Sequence, residues 1–352
     1  MRRLLICFAA LAAATSPAWT AEPVSFKGKT ITMIIGFPAG GGTDQSGRLI
    51  AAMLAKHLPG EPALVTQNMP GAEGLMALNY FVQKTKPDGT SMTMGSQSES
   101  EPTHYRIAQS RYDPTKFVYI GGVGRGGSAL VIKKDAEPRL HDKSLPPVIM
   151  GTTSGAPRRN MQMAGWGREW LNWNLRWVAG YRGTNDLFVA MERGEIEMTA
   201  TANPAPIERL LGSGRFKLLA QAGAFRDGQP VARSDFGDAP LIPVLLTGKI
   251  TDPVAEKGFD YWITINTGPD KWLALPPGTP DDIAEAYRKA YVAMSKDPEF
   301  IERSKALSDD FTPIGWSDVD TWMKKLGKAD PESMEYLNVM MRKQGAAGGG
   351  SQ

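Results

Sequence analysis

Residues 36–48 read GFPAGGGTDQSGR and follow the β-branched run TITMII. Gly40, Gly41 and Gly42 lack a Cβ, so their backbone N–H groups can turn toward a ligand and approach it closely. If a helix begins at Thr43 or Asp44, its first amides have no intrahelical acceptor and its dipole adds partial positive charge. The chemistry on offer is anion binding without a charged side chain. A second stretch, GTTSGAPRR at 151–159, repeats the plan. There Thr152, Thr153, Ser154 and Gly155 lead into a helix opened near Pro157, a residue favoured in a first turn. Arg158 and Arg159 follow in that turn, where a cation opposes the dipole, and guanidinium matches a carboxylate in a bidentate pair. Each stretch also has a ligand-free reading: a plain strand-to-helix turn for the first, solvent-facing arginines for the second.

Other chemistries fail on inspection. The first loop is no nucleotide P-loop, because Gly42 is followed by Thr-Asp-Gln instead of a lysine and a hydroxyl residue. The stretch Gly122-Val-Gly124-Arg-Gly-Gly127 matches G-x-G-x-x-G but runs into SALVIKK, a strand, where a dinucleotide site needs a helix. It reads as a crossing, either a hinge or a bulged strand. No G-x-S-x-G elbow, H-E-x-x-H or paired Cys/His spacing occurs. His57, His104 and His141 lie in unlike contexts, His57 on the face of a helix. Glu195/Glu197 and Asp281/Asp282 fall in turns or helix starts, where caps and solvated faces explain them. Trp166, Trp170 and Trp173 recur at i, i+4, i+7, which reads as helix core, with a ligand platform as the alternative. No metal, no cofactor and no catalytic residue are expected. An exported hydrolase using Ser154 as nucleophile is the enzyme alternative, and it lacks a base.

Composition narrows the partners. The 352 residues carry 40 Lys+Arg, 37 Asp+Glu and one cysteine. The opening MRRLLICFAALAAATSPAWTAEP has two arginines, an apolar run from Leu4 to Ala14 and small residues around Pro17. This is the layout of a secretory signal, 1–21, cleaved after Ala18 to Ala21 and too short to remain as an anchor. Removing Arg2 and Arg3 leaves 38 basic residues against 37 acidic, a formal charge of +1. No basic excess remains to neutralise a nucleic-acid backbone, so no nucleic-acid partner is expected. Cys7 leaves with the signal, and the mature chain has no thiol and no disulfide. No later stretch is apolar enough for a membrane span, so the expected location is the periplasm without membrane insertion.

The elements that must position these loops alternate. TITMIIGF, ALVTQNM and SMTMGS read as strands, separated by the helices GTDQSGRLIAAMLAKHL and PGAEGLMALNYFVQKT. This order implies parallel strands with crossover helices. KFVYIGGVGRGGSALVIKK is extended and has no helix within it. A second alternating unit follows through PPVIMGTTSG, APRRNMQMAGWGREWL, NLRWVAGYRG, TNDLFVAMERGE, IEMTATANP, APIERLLGSG and RFKLLAQAG. TPDDIAEAYRKAYVAMSKDPEFIERSKAL is helical. The expected division is domain 1 over 22–122 and 262–340, domain 2 over 123–261, and a loose tail over 341–352.

An exported chain with ITMIIGFPAGGGTDQSGRL, NMPGAEG and KPDGTSMTMGS in that order resembles the Bug/TctC-type receptors, the periplasmic solute-binding proteins of tripartite tricarboxylate transporters. The match continues through GTTSGAP, GYRGTNDLFVAMERGEIEM and WLALPPGTPDDI. The resemblance implies a type II periplasmic-binding-protein fold (Venus flytrap), two doubly wound α/β lobes with the ligand cleft between them. It implies a monomer that holds a small organic carboxylate through backbone N–H groups and ordered waters, and delivers it to a membrane permease. A ligand-binding sensor subunit is the alternative. Carried over by position, the first-lobe contacts are Phe37, Gly40, Gly41, Gly42 and Asp44, with Ser96 and Gln97. The second-lobe contacts are Thr153, Ser154, Gly155 and Ala156, with Thr201 and Asn203, and Arg158 as a specificity element. Asp44 is expected to cap helix amides and fix its loop. This sequence departs from the pattern at Pro157-Arg158-Arg159, in the acidic GSQSESEPTHYRI and in the tryptophan-rich helix. Glu99 or Glu101, if turned inward, would select a ligand with an amino group; turned outward, they are solvated.

Overall fold

The computed structural model describes residues 23–124, 127–153, 160–226, 229–266, 268–308 and 311–346. The first unit runs β1 (Thr30–Ile35), α1 (Gly42–His57), β2 (Ala63–Asn68), α2 (Leu75–Lys84), β3 (Ser91–Ser96), a short α3 (Pro102–Tyr105) and β4 (Val118–Gly124). The second runs β5 (Ala129–Lys133), a short α4 (Glu137–Leu140), β6 (Val148–Gly151), α5 (Gln162–Trp170), β7 (Leu175–Val178), α6 (Thr184–Arg193), β8 (Met198–Thr201), α7 (Pro204–Gly212) and β9 (Phe216–Gln221). The hairpin β10 (Ala224–Arg226) and β11 (Gln229–Val231), the short α8 (Ile242–Leu246) and α9 (Pro253–Asn266) lead back to β12 (Lys271–Leu275). The chain closes with α10 (Asp281–Ser295), α11 (Pro298–Lys305), β13 (Thr312–Gly315), α12 (Trp316–Leu326) and α13 (Pro331–Lys343).

These strands form two mixed sheets and hence two α/β lobes. The first sheet has the order β13-β4-β12-β3-β1-β2, with β1 parallel to β2 and β3, and β12 antiparallel to β3 and β4. The second has the order β7-β6-β8-β5-β9, with β6 parallel to β7 and β8 and β5 antiparallel to β8 and β9. In the first sheet, β1 alternates faces with period two. Ile31, Met33 and Ile35 join a core with Leu49, Ile50, Met53 and Leu54 of α1, while Ile34 joins Leu75, Leu78 and Phe81 on the other face. The alternation TITMII therefore serves a sheet covered by helices on both sides.

The glycine stretch at 121–124 belongs to β4, and the chain passes from there into β5 of the other sheet. Gly127 sits in this crossing at φ +103°, and a Cβ on it would meet the Gly223 carbonyl oxygen at 2.2 Å. The crossing is therefore tied closely to the second lobe. The residues read as one long helix, 279–307, divide at Asp297, whose carboxylate caps α11 through the Glu299 amide. Trp166 and Trp173 are core residues of the second lobe, and Trp166 packs against Phe259, Trp262 and Tyr336. At the C terminus α13 buries Met334, Leu337, Met340 and Met341 in that same second-lobe core. Ala346 is buried too, so the first residues of the expected tail are packed; 347–352 lie outside the described residues.

Candidate functional site: a cavity ringed by helix starts

The carboxyl ends of the parallel strands in both lobes meet at a cavity of about 380 Å³. That is the place where ligands bind open α/β sheets, and the volume is in the range of small-molecule pockets. Phe37, Pro38, Ala39, Gly41, Gly42 and Thr43 line it from the loop after β1, and Ser96 and Ser98 from the end of β3. The second lobe contributes Thr153 after β6, Asn160 and Met161 before α5, Arg182 to Asp186 around the start of α6, and Thr201 to Asn203 before α7. The starts of α1, α5, α6 and α7 thus face one space. α1 and α6 bring first-turn N–H groups without intrahelical acceptors and the positive end of a dipole, whereas α7 opens with Pro204 and Pro206 and the Met161, Met163 and Ala164 amides at the start of α5 already have acceptors.

Asp44 builds the first of these starts. The N-cap of α1 is Gly41, without a side-chain cap, so the expected capping by Thr43 or Asp44 is replaced by another arrangement. The buried Asp44 carboxylate accepts from the Gly40 amide at 2.8 Å, Arg48 Nε at 2.9 Å and Asn68 Nδ2 at 2.9 Å. Asn68 Nδ2 also donates to the Phe37 carbonyl at 2.9 Å. Burial alone would raise the Asp44 pKa, but the hydrogen bonds from Arg48, Gly40 and Asn68 outweigh it and hold the carboxyl below its ordinary value. Asp44 is not among the cavity-lining residues. It stands behind the loop and fixes its backbone. Gly40 at φ +79° takes the left-handed conformation this folding-back requires.

The other expected contacts divide. Phe37, Gly41, Gly42, Ser96, Thr153, Thr201 and Asn203 line the cavity, and Gly40 lies beside it with Asn185 Nδ2 3.4 Å from where its Cβ would be. Gln97 is buried and does not line the cavity; its side chain donates to the Ile265 carbonyl and its amide to the Asp270 carbonyl. Ser154, Gly155, Ala156 and Arg158 lie outside the described residues. Glu99 and Glu101 are neither in the cavity wall nor solvated, because both are fully buried. Glu101 accepts from Gln162 Nε2 at 3.1 Å. Glu99 accepts from the Ser96 amide at 2.5 Å, and its burial pushes its pKa up to about 8 against the opposing pull of Ser96 and Lys271.

Sequence reasoning missed several wall residues. Glu73 reaches the cavity from a turn with unusual backbone, Ala72 at φ 47° and Glu73 at φ 52°, ψ 43°. Each non-glycine residue in this left-handed region costs roughly 1–2 kcal/mol. Asp270 and Lys271 come from the start of β12, with Lys271 opposite Ser96, and form a buried ion pair at 3.1 Å. Arg182 pairs with Asp186 at 2.9 Å. The start of α6 was legible, since GYRGTND repeats the strand–glycine–hydroxyl plan of the two loops already singled out. Lys271 carried no such signal; only strand order puts it beside Ser96.

No protein-family model matches the sequence. A UPF0065 protein of Bordetella pertussis is 25% identical over 314 residues, 85% of each chain. The periplasmic binding protein BugD superposes with a TM-score of 0.66 at 20% identity, over 91% of this chain and 99% of its own. A protein from R. palustris solved with adipate gives 0.63 at 18% identity, over 90% and 98%. MatC from Rhodopseudomonas palustris, solved with bound malate, gives 0.58 at 17%, over 91% and 98%. Of these, BugD is a periplasmic binding protein by name. The strand order, the interlobe cavity and the sequence motifs point the same way: this chain has the fold of the Bug/TctC-type periplasmic binding proteins.

Proposed function

We propose that the protein captures a small organic carboxylate between its lobes in the periplasm and delivers it to the permease of a tripartite tricarboxylate transporter. The observation that carries this reading is the convergence of helix starts from both lobes on one cavity, α1 from the first and α5, α6 and α7 from the second. Gly41 and Gly42 let a carboxylate approach the α1 amides without steric obstruction. Thr153, Thr201 and Asn203 oppose them across the cleft, and we propose Ser154, Gly155, Ala156 and Arg158 as further ligand contacts. Lobe closure would bury the charge among preorganised donors, and the closed shape is what a permease would recognise. The adipate and malate of the structural neighbours support a carboxylate as the ligand class. We assign 22–122 and most of 262–340 to the first lobe and 123–261 to the second, with α13 docked on the second.

Thermal-shift screening of the mature chain against mono-, di-, tricarboxylates and aromatic acids tests the proposal. A ligand that binds the folded state raises the melting temperature, by an amount that grows with its concentration over Kd. At least one acid is expected to do so, and Gly42→Val, which places a branched side chain at the α1 start, is expected to abolish the shift. No shift across the panel would refute the reading.

A further inference from the structure

We infer that Glu73 is a positioning residue for lobe closure: its carboxylate, on the first lobe, accepts a hydrogen bond from the Thr153 hydroxyl on the second and holds that edge of the cleft shut. The inference rests on the binding role proposed above and adds a device to it. Thr153 Oγ1 donates to Glu73 Oε1, and both residues line the cavity. The bond therefore spans the very space the ligand would fill.

The backbone gives the second argument. The turn 71–74 holds Gly71 at φ 155°, Ala72 at 47°, Glu73 at 52° and Gly74 at 91°. Position 73 asks for glycine and carries a glutamate instead. Strain kept at a cavity wall is a mark of use when its surroundings enforce it. Here they do: a Cβ on Gly74 would lie 1.9 Å from Glu99 Oε1, and one on Gly36 would lie 2.6 Å from the Gly74 Cα. The turn cannot relax into β3's loop or into the end of β1, so it presents Glu73 to the other lobe.

Chemistry supplies the third. A hydrogen bond to an ionised acceptor is about twice as strong as a neutral one. The neighbouring contact across the cleft at Asn203 Nδ2 and Gln45 Oε1 is neutral and long, 3.5 Å. The Thr153 hydroxyl can donate one hydrogen bond, and Glu73 accepts it. A bound carboxylate is then gripped at this point by backbone N–H, while the hydroxyl serves closure.

The test uses the thiol-free mature chain, which accepts cysteines cleanly. Lys289→Cys on α10 and Glu208→Cys on α7, both exposed, carry spin labels that report the interlobe distance. In the ligand-free protein, Glu73→Gly and Thr153→Val are each expected to shift the distance distribution to longer values. The double variant should go no further than either single one, and Glu73→Gln should fall between. Glu73→Gly should melt no lower than the parent, because it relieves the left-handed strain; Thr153→Val keeps the test open if it does not fold. A distribution unchanged in both single variants would overturn the inference. Adipate titration separates this failure from that of the proposed function. If the parent binds adipate, Thr153→Val, which breaks the latch and leaves the charge of the wall unchanged, should bind it about tenfold more weakly, the scale of one charge-assisted hydrogen bond, and equal affinity would count against the latch. If the parent binds no acid, the binding role fails while the distance readout still decides on Glu73.

Discussion

Replacing Glu99 by glutamine should stabilise this protein at neutral pH and flatten part of its pH dependence. Glu99 is fully buried behind the cavity, with Oε2 on the Ser96 amide at 2.5 Å and Oε1 pressed into space left by Gly36 and Gly74. Desolvation raises its folded pKa to about 8, from 4.5. Between those values the folded state holds a proton that the unfolded state has released. Stability is therefore full below the unfolded pKa and falls as pH rises toward the folded one. With those two values, the linkage relation gives a loss on the order of 2 kcal/mol between pH 5.5 and 7.5. Glutamine has the shape of the protonated acid and does not titrate, so the variant should be spared that loss. The assay is denaturant unfolding of both proteins across this range, with the difference between their midpoints cancelling every other titrating group. A difference that stays constant with pH would refute the reasoning, since it would mean that Glu99 is solvated or finds a cation on folding.

Two further outcomes follow from the same kind of accounting. Asp44→Asn removes the charged acceptor shared by Gly40, Arg48 and Asn68, and should cost about 2 kcal/mol at pH 7 by denaturant unfolding, as hydrogen bonds to a charged group do. Because the folded pKa of Asp44 is depressed, that contribution is present above its unfolded value of 3.8 and vanishes as pH falls through the folded one. The variant and parent should thus converge in acid, and a gap that persists there would exclude the charge as its cause. Arg233→Met breaks the ion pair between the fully buried Arg233 and the partly buried Asp235, and contacts to the Gly127 and Ala202 carbonyls and Ser308. It should cost about 3–5 kcal/mol, because Asp235 is left without its guanidinium; a loss under 1 kcal/mol would show that the cluster is dispensable.

The parts of the fold legible in the sequence are those fixed by local pattern. The alternation in TITMII, the 3.6-residue spacing of Leu49, Ile50, Met53 and Leu54, and the helical stretch APIERLLGSG all act within a few residues. The glycine loop was legible for the same reason: Cβ-free residues between a strand and a helix restrict what can follow. The missed residues depend on chain ends brought together late. Lys271 reaches Ser96 because β12 inserts antiparallel between β3 and β4, and Arg233 reaches Ser308 from the other lobe. Glu73 was hidden by its motif, since NMPGAEG reads as a helix opening from Pro-Gly onward. The structure instead spends residues 71–74 on a left-handed turn and starts α2 at Leu75.

This division bears on how the proposed carboxylate would be held. Among the described wall residues, Lys271 pairs with Asp270 and Arg182 with Asp186, and the Glu73 carboxylate accepts from the Thr153 hydroxyl. The uncapped amide ends of α1 and α6 open on the same cavity. A fixed dipole set costs no reorganisation when the ligand arrives, and inside a closed cleft it is little screened by salt. Affinity should then depend on loop backbone held by groups such as Asp44, standing one layer behind the ligand. The glycines allow the approach, and the buried carboxylates behind them keep it in place.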